Sequence, residues 1–87
     1  MIQIEIDRAQ HGTSMNILSG TAPDLRTAHS WLSNAISPGG ASFKERTPTS
    51  LVYESTFHGA VDTHTYSGPA AAIDELAALV DAPRVAA

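Results

Sequence analysis

The sequence contains no cysteine, and it has few aromatic and few basic residues. The absence of cysteine excludes disulfide bonds and zinc–thiolate sites. Five Lys or Arg residues stand against nine Asp or Glu, a formal net charge of −4, and only Lys44 and Arg46 lie close together. Nucleic-acid binding needs clustered cations, so we do not expect it here. The nine acidic residues are dispersed along the chain, so mimicry of DNA is not indicated either.

The sequence also lacks a long apolar run. No segment approaches the roughly 18–20 apolar residues of a membrane helix. Residues 1–7 alternate apolar and acidic side chains, whereas a signal peptide has a basic patch followed by a continuous apolar run. We therefore expect no membrane segment and a cytoplasmic location. The length of 87 residues fits one domain, expected over 1–82, with a frayed C-terminal tail over 83–87.

A hairpin is predicted at the N-terminus. Isoleucines alternate with polar residues over 2–8, which is the pattern of a half-buried strand. A four-residue loop over 9–12 would lead to a second strand over 13–18, with Ile6 opposite Met15. The second segment is short and contains Ser and Asn, so it is a loop in the alternative interpretation.

A helix is predicted to start at Thr21-Ala22-Pro23-Asp24 and to run to about Ile36. Thr21 can cap it, Pro23 suits its first turn, and Asp24 sits at the capping-box position. Apolar residues then recur at helical spacing. They are Leu25, Ala28, Leu32, Ala35 and Ile36.

Residues 41–67 are predicted to form three antiparallel strands joined by three-residue loops at 48–50 and 58–60. A two-residue turn at Gly59-Ala60 would place Asp62 and His64 on the core face, where burying them unpaired is costly. The longer loop is therefore preferred. The core face is then Ala41, Phe43, Leu51, Tyr53, Phe57 and Val61.

A second helix is predicted over 69–81, after Ser67-Gly68-Pro69. Its apolar stripe is Ile73, Leu76, Ala77 and Val80. The order is β-β-α-β-β-β-α, or β-α-β-β-β-α if 13–18 is a loop. Both orders give an α+β fold, a small two-layer sandwich with a mainly antiparallel sheet and two helices on one face. The other face is expected to be exposed.

Charged residues cluster on this exposed face in the predicted register. Lys44 lies opposite Glu54, and Glu54 lies opposite His64. Such a row is either ordinary cross-strand charge pairing or part of a partner-binding surface. Trp31 falls off the apolar stripe of the first helix, where it either caps the core or anchors an interface. The candidate partner-binding residues are Trp31, Lys44, Arg46, Glu54, Asp62, His64 and Tyr66.

No motif for catalysis, cofactor binding or metal binding is present. His58, Asp62 and His64, with Glu54 or His11, match no known ligand spacing. The chain has no Gly-x-Ser-x-Gly elbow, and neither a phosphate loop nor a dinucleotide fingerprint. We therefore expect no catalytic residue, no metal and no cofactor.

The size of the chain and its lack of catalytic motifs favour a non-enzymatic protein-binding module. Small inhibitors or adaptors encoded by phages or mobile elements, of the anti-CRISPR type, dock to a host protein complex and fit this description. On this hypothesis, Arg46→Ala or Tyr66→Ala abolishes partner binding and leaves the melting temperature nearly unchanged. The alternative is a small dimeric ligand- or metal-binding enzyme subunit that uses Glu54, Asp62 and His64. A domain this small also gains stability from a partner, and a second copy of the chain could serve as one.

Overall fold

The computed structural model describes residues 1–83 and has one five-stranded antiparallel sheet with two helices. The strand order is β2-β1-β5-β4-β3. The elements are β1 (Ile2–Gln10), β2 (Thr13–Ala22), α1 (Leu25–Ile36), β3 (Ser42–Thr47), β4 (Ser50–Phe57), β5 (Ala60–Ser67) and α2 (Ala70–Leu79). The predicted α+β sandwich is confirmed, with the order that includes both N-terminal strands. The predicted tail over 83–87 lies outside the described residues from position 84 onward.

The β1–β2 hairpin turns through two residues. His11 and Gly12 both have positive φ, 53° and 76°, which is the conformation that matches the twist of a tight hairpin. The predicted four-residue loop is therefore wrong. The second strand continues well past residue 18, and a bulge at Ile17 places Ile6 opposite Leu18 rather than Met15.

Helix α1 begins one turn later than the Thr21 cap predicts. Its N-cap is Asp24, whose Oδ1 accepts a hydrogen bond of 2.8 Å from the backbone N–H of Thr27. Thr21 belongs to β2. The hydrogen bond from Thr27 holds the pKa of Asp24 below its ordinary value. The helix ends at Ile36 as predicted.

The β4–β5 turn is shorter than predicted by one residue. His58 and Gly59 form a second two-residue turn with positive φ, 49° and 81°, and Phe57 pairs with Ala60. A one-residue change of register moves every side chain of a strand to the opposite face. Asp62, His64 and Tyr66 therefore lie on the side of the sheet that carries the helices, and their predicted position on the exposed face is wrong.

The β3–β4 turn is also shorter than predicted, because Thr47 pairs with Ser50. A bulge at Lys44 then places Phe43 opposite Tyr53 and Glu45 opposite Val52. The extra residue turns Lys44 and Glu45 toward the exposed side and Arg46 toward the helices. The predicted position of Arg46 on the exposed face is wrong for this reason.

The core lies between the helices and one side of the sheet. It comprises Ile2, Ile4, Ala22, Ala28, Leu32, Ala41, Leu51, Tyr53, Tyr66, Ile73, Leu76 and Ala77. Three of the six residues predicted for the core face of the C-terminal strands are in it. Phe43 and Phe57 remain 36% and 67% exposed, and Val61 lies on the other face. Within residues 1–83, no helix is long and apolar enough to cross a membrane.

Candidate functional site

The side of the sheet opposite the helices is termed the open face. It carries four carboxylates, from Glu5, Asp7, Glu45 and Glu54, and one ammonium group, from Lys44. Most of its other outward side chains are Ser, Thr, Asn or Gln. No helix formed by residues 1–83 packs on this side, and its side chains are exposed or half-buried. The open face is therefore an acidic, polar surface across all five strands.

Two of these carboxylates have partners. Lys44 Nζ lies 3.0 Å from Glu54 Oε2, so the charge pair forms, although the predicted register is wrong and Ser42 rather than Lys44 lies opposite Glu54. Asp7 Oδ1 accepts a hydrogen bond of 2.9 Å from Asn16 Nδ2. Among residues 1–83, Glu5 and Glu45 form no ion pair. Both are exposed and free to contact a cation from outside the chain.

Asp62 lies on the helix side and is held by Arg8. Arg8 Nε and Nη2 donate to the two carboxylate oxygens of Asp62 at 2.8 and 3.0 Å. This bidentate contact lowers the pKa of Asp62, so its carboxylate stays ionised. Arg8 is not among the predicted site residues, although it follows Ile2, Ile4 and Ile6 at the same spacing. An arginine on an apolar face indicates a carboxylate partner on a neighbouring strand.

His64 is buried beside this ion pair, and its Nε2 lies 3.1 Å from Ser55 Oγ. Burial lowers the pKa of His64, although the charge of Asp62 opposes the shift. A neutral imidazole next to a hydroxyl can act as a general base. His64 Nδ1 has no hydrogen-bond partner among residues 1–83, because Asp62 is bound to Arg8 instead. The arrangement is a Ser–His pair without the orienting carboxylate of a catalytic triad.

Arg46 and Tyr66 are enclosed rather than presented to a partner. The Arg46 side chain is only 9% exposed, contacts Asp74 of α2, and donates from Nη1 to the Pro83 carbonyl at 3.1 Å. Tyr66 is fully buried, and its hydroxyl has no hydrogen-bond partner in the described part of the chain. Burial raises the pKa of Tyr66 to about 12. Arg46 thus links β3 to α2 and to Pro83, and Tyr66 belongs to the core between the sheet and the helices.

Trp31 is 44% exposed and forms one wall of a groove between α1 and β2. The groove has a volume of about 210 Å³, and Leu18, Gly20 and Thr27 also line it. The predicted alternatives for Trp31 were a cap on the core and an interface anchor. Its position at the edge of the sheet makes it accessible to a partner.

The structure separates the residues of the predicted enzyme site. Glu54 lies on the open face, whereas Asp62 and His64 lie on the helix side, so the three cannot meet within one copy of the chain. In residues 1–83, no group of three or more His, Cys, Asp or Glu side chains could hold a metal ion.

Three features therefore stand out: the open face, the groove under Trp31, and the cluster around His64. No family model, no curated protein and no solved structure matches the chain.

Proposed function

We propose that the chain is a non-enzymatic protein-binding module that docks its open face on a basic surface of another protein. One observation carries the proposal: four carboxylates and a single ammonium group share an exposed sheet face that no helix of residues 1–83 covers. Charge of one sign on an interface steers association with a partner of the opposite sign and rejects partners of like charge.

The spacing of the carboxylates suits a broad basic partner. Asp7 and Glu54 lie in one row across the sheet with Thr63 between them, which places them about 10 Å apart. Glu5 and Glu45 lie in the next row, three strands apart, or about 14 Å. The hydroxyls between them can accept or donate hydrogen bonds. Several separated Lys or Arg side chains of a partner can therefore contact the face at once.

A surface that binds nucleic acid is the partner that best fits this chemistry. Such surfaces present Lys and Arg at intervals, and the carboxylates of the open face would compete with phosphates for them. We therefore propose a small inhibitor or adaptor of a nucleic-acid-targeting host complex, of the anti-CRISPR type, encoded by a phage or mobile element and acting in the cytoplasm. The small size of the chain and the lack of a catalytic motif support this class.

The test is a pull-down from host lysate with the tagged chain and two variants. Glu5→Gln/Glu45→Gln removes two carboxylates that have no ion pair within residues 1–83, and Glu75→Gln removes an exposed carboxylate on α2 as a control. We expect the parent chain and the control to capture the same protein. The double variant should lose it, and the captured complex should dissociate as salt is raised.

Equal capture by all three proteins, or a complex insensitive to salt, would contradict the proposal. Both variants change exposed side chains, so their free energy of unfolding should stay within about 0.5 kcal/mol of the parent value. A purified fragment of the captured protein that carries its basic surface should then bind the parent chain directly.

The Ser55–His64 contact favours a second candidate, a small ligand-binding or enzymatic subunit completed by a second copy of the chain. In this alternative His64 is the general base, and Glu54 is contributed by the second copy of the chain. It predicts an activity that rises as the His64 imidazole loses its proton and that is lost in His64→Asn. A purified chain without bound metal or small molecule, and without such a pH dependence, would count against it.

A further inference from the structure

The two outer strands of the sheet differ sharply in how they are protected. β3 is six residues long, and Lys44, Glu45 and Arg46 follow one another within it. Both outer strands contain a bulge, so the charged side chains are the difference between them, and such charges disfavour pairing of an edge strand with another chain. β2 is ten residues long and contains no charged residue and no proline. No segment of residues 1–83 pairs with its outer edge.

Exposed apolar side chains lie along this neutral edge. Met15 is 58% exposed, Ile17 is 40% exposed, and Trp31 stands above the same strand on α1. The groove between β2 and α1 has no side chain at Gly20, where an added Cβ would meet no atom within 4 Å. The edge therefore combines unpaired backbone groups, an empty groove and apolar side chains that could fill it.

We propose that β2 pairs antiparallel with β2 of a second copy of the chain, forming a two-fold symmetric dimer with a continuous ten-stranded sheet. Pairing over the full length of the strand sets Thr13 of one copy opposite Ala22 of the other. In this register Met15 lies opposite Gly20, and each Met15 side chain enters the groove of the other copy beside Trp31. Contacts between methionine sulfur and an aromatic ring are favourable.

The bulge at Ile17 makes this register consistent. Positions 15 and 20 are five residues apart, so in a regular strand their side chains would lie on opposite faces. With the bulge, both lie on the helix side, because Met15 pairs with Arg8 and Gly20 pairs with Ile4. In the full-length register Asn16 and Ser19, both on the open face, also lie opposite each other. In every opposed residue pair of this register outside the bulge, the two side chains therefore lie on the same side of the sheet.

The charges explain why assembly stops at two copies. β2 is neutral, so the net charge of −4 on each chain is not concentrated at the contact. The dimer uses both copies of β2 and leaves two β3 strands as its outer edges. Those edges carry consecutive charges, which disfavour further pairing. The dimer also places both open faces on the same side, so it is compatible with the proposed function but does not depend on it.

The first test is sedimentation equilibrium of the chain and three single variants. We expect a dimer for the parent chain and for Leu79→Lys, which adds the same charge at an exposed apolar residue of α2. Met15→Lys and Ile17→Lys should raise the dimer dissociation constant at least about 100-fold, because each buries an unpaired ammonium group at the new contact. A monomeric parent chain, or dimers that tolerate both β2 variants, would overturn the proposal.

The second test determines the register by disulfide cross-linking. The sequence has no cysteine, so the introduced thiols are the only ones that can form a disulfide. Opposed residues of antiparallel strands lie at a separation that a disulfide can bridge. Met15→Cys/Gly20→Cys should therefore form a covalent dimer on mild oxidation. Neither single variant should do so, because two copies of position 15 would lie about 16 Å apart along the strands. Cross-linking by a single variant, or none by the double variant, would refute this register.

Discussion

Removal of the Tyr66 hydroxyl should stabilise the protein. The side chain is fully buried, and its oxygen has no hydrogen-bond partner among residues 1–83. A buried hydroxyl without a partner costs about 1–3 kcal/mol in lost hydration. Tyr66→Phe keeps the ring and removes that cost, so we expect the free energy of unfolding to rise by about 1 kcal/mol. For a domain of this size, the melting temperature would rise by about 4–8 °C.

Tyr66→Ala should have the opposite effect. Truncation of a buried aromatic ring costs about 3–5 kcal/mol, a large part of the roughly 5–15 kcal/mol that stabilises a small domain. We therefore expect Tyr66→Ala to lower the melting temperature, contrary to the expectation from the sequence that it stays nearly unchanged. Any loss of binding would follow from loss of folded protein. Urea denaturation followed by circular dichroism measures both variants.

The pH dependence gives an independent test of the buried hydroxyl. The pKa of Tyr66 is about 12 in the folded chain against an ordinary value of 10.0, so the unfolded chain loses the proton first as pH rises. The ionisation of Tyr66 therefore leaves the free energy of unfolding unchanged below about pH 10 and lowers it as pH rises toward 12. Tyr66→Phe should lose less stability over this range. A Tyr66→Phe variant less stable than the parent chain, with an unchanged alkaline profile, would refute the burial of an unpartnered hydroxyl.

Three further predictions follow from the fold. Leu32→Ala leaves a cavity under α1 and should lower the free energy of unfolding by about 2–5 kcal/mol, whereas Leu79→Ala at an exposed position should change it little in the same urea titration. Gly59→Ala should cost about 1 kcal/mol by thermal denaturation, because φ at this position is 81°. Burial lowers the pKa of His64 from 6.5, so the unfolded chain gains a proton first as pH falls; stability should decrease below about pH 6.5, and less so in His64→Asn.

The element types were predictable because their signals are local. Capping chemistry and apolar residues at helical spacing indicated both helices, and the alternating isoleucines indicated β1. The end of α1 at Ile36 was predicted correctly. Helix α2 runs over Ala70–Leu79 rather than the predicted 69–81, and three of the four residues of its predicted stripe are buried, whereas Val80 is its half-buried C-cap. Each of these predictions depends on residues that lie close to one another in the sequence.

The turn lengths were not predicted, although the sequence contains a signal for them. Three hairpin turns have two residues, and His-Gly occurs at two of them, at 11–12 and 58–59, whereas Pro48-Thr49 forms the third. Asn-Gly and Asp-Gly are the usual pairs at such turns. Histidine is also enriched among residues with positive φ, so His-Gly between two strands could have been recognised as the same signal. Bulges such as the one at Lys44 leave no comparable signal, because they depend on how neighbouring strands pack.

The longer β4–β5 turn is predicted because Asp62 and His64 would otherwise be buried on the core face without partners, and this expectation is wrong. Both find partners on neighbouring strands: Arg8 binds Asp62, and Ser55 contacts His64. The cost of burying a polar group depends on partners that can be distant in sequence, and Arg8 lies 54 residues from Asp62. Local sequence could not supply that pairing.

The same long-range pairing changes the functional argument. Glu5 and Asp7 lie in β1, whereas Glu45 and Glu54 lie in β3 and β4, so these acidic residues are dispersed in sequence. The sheet brings all four to one face, because β5 pairs with β1 on one side and with β4 on the other. Carboxylates that are far apart in the sequence therefore lie together on one surface of the folded chain. The open face brings together four carboxylates, two of them without an ion pair within residues 1–83, whereas the predicted charged row held only the carboxylate of Glu54.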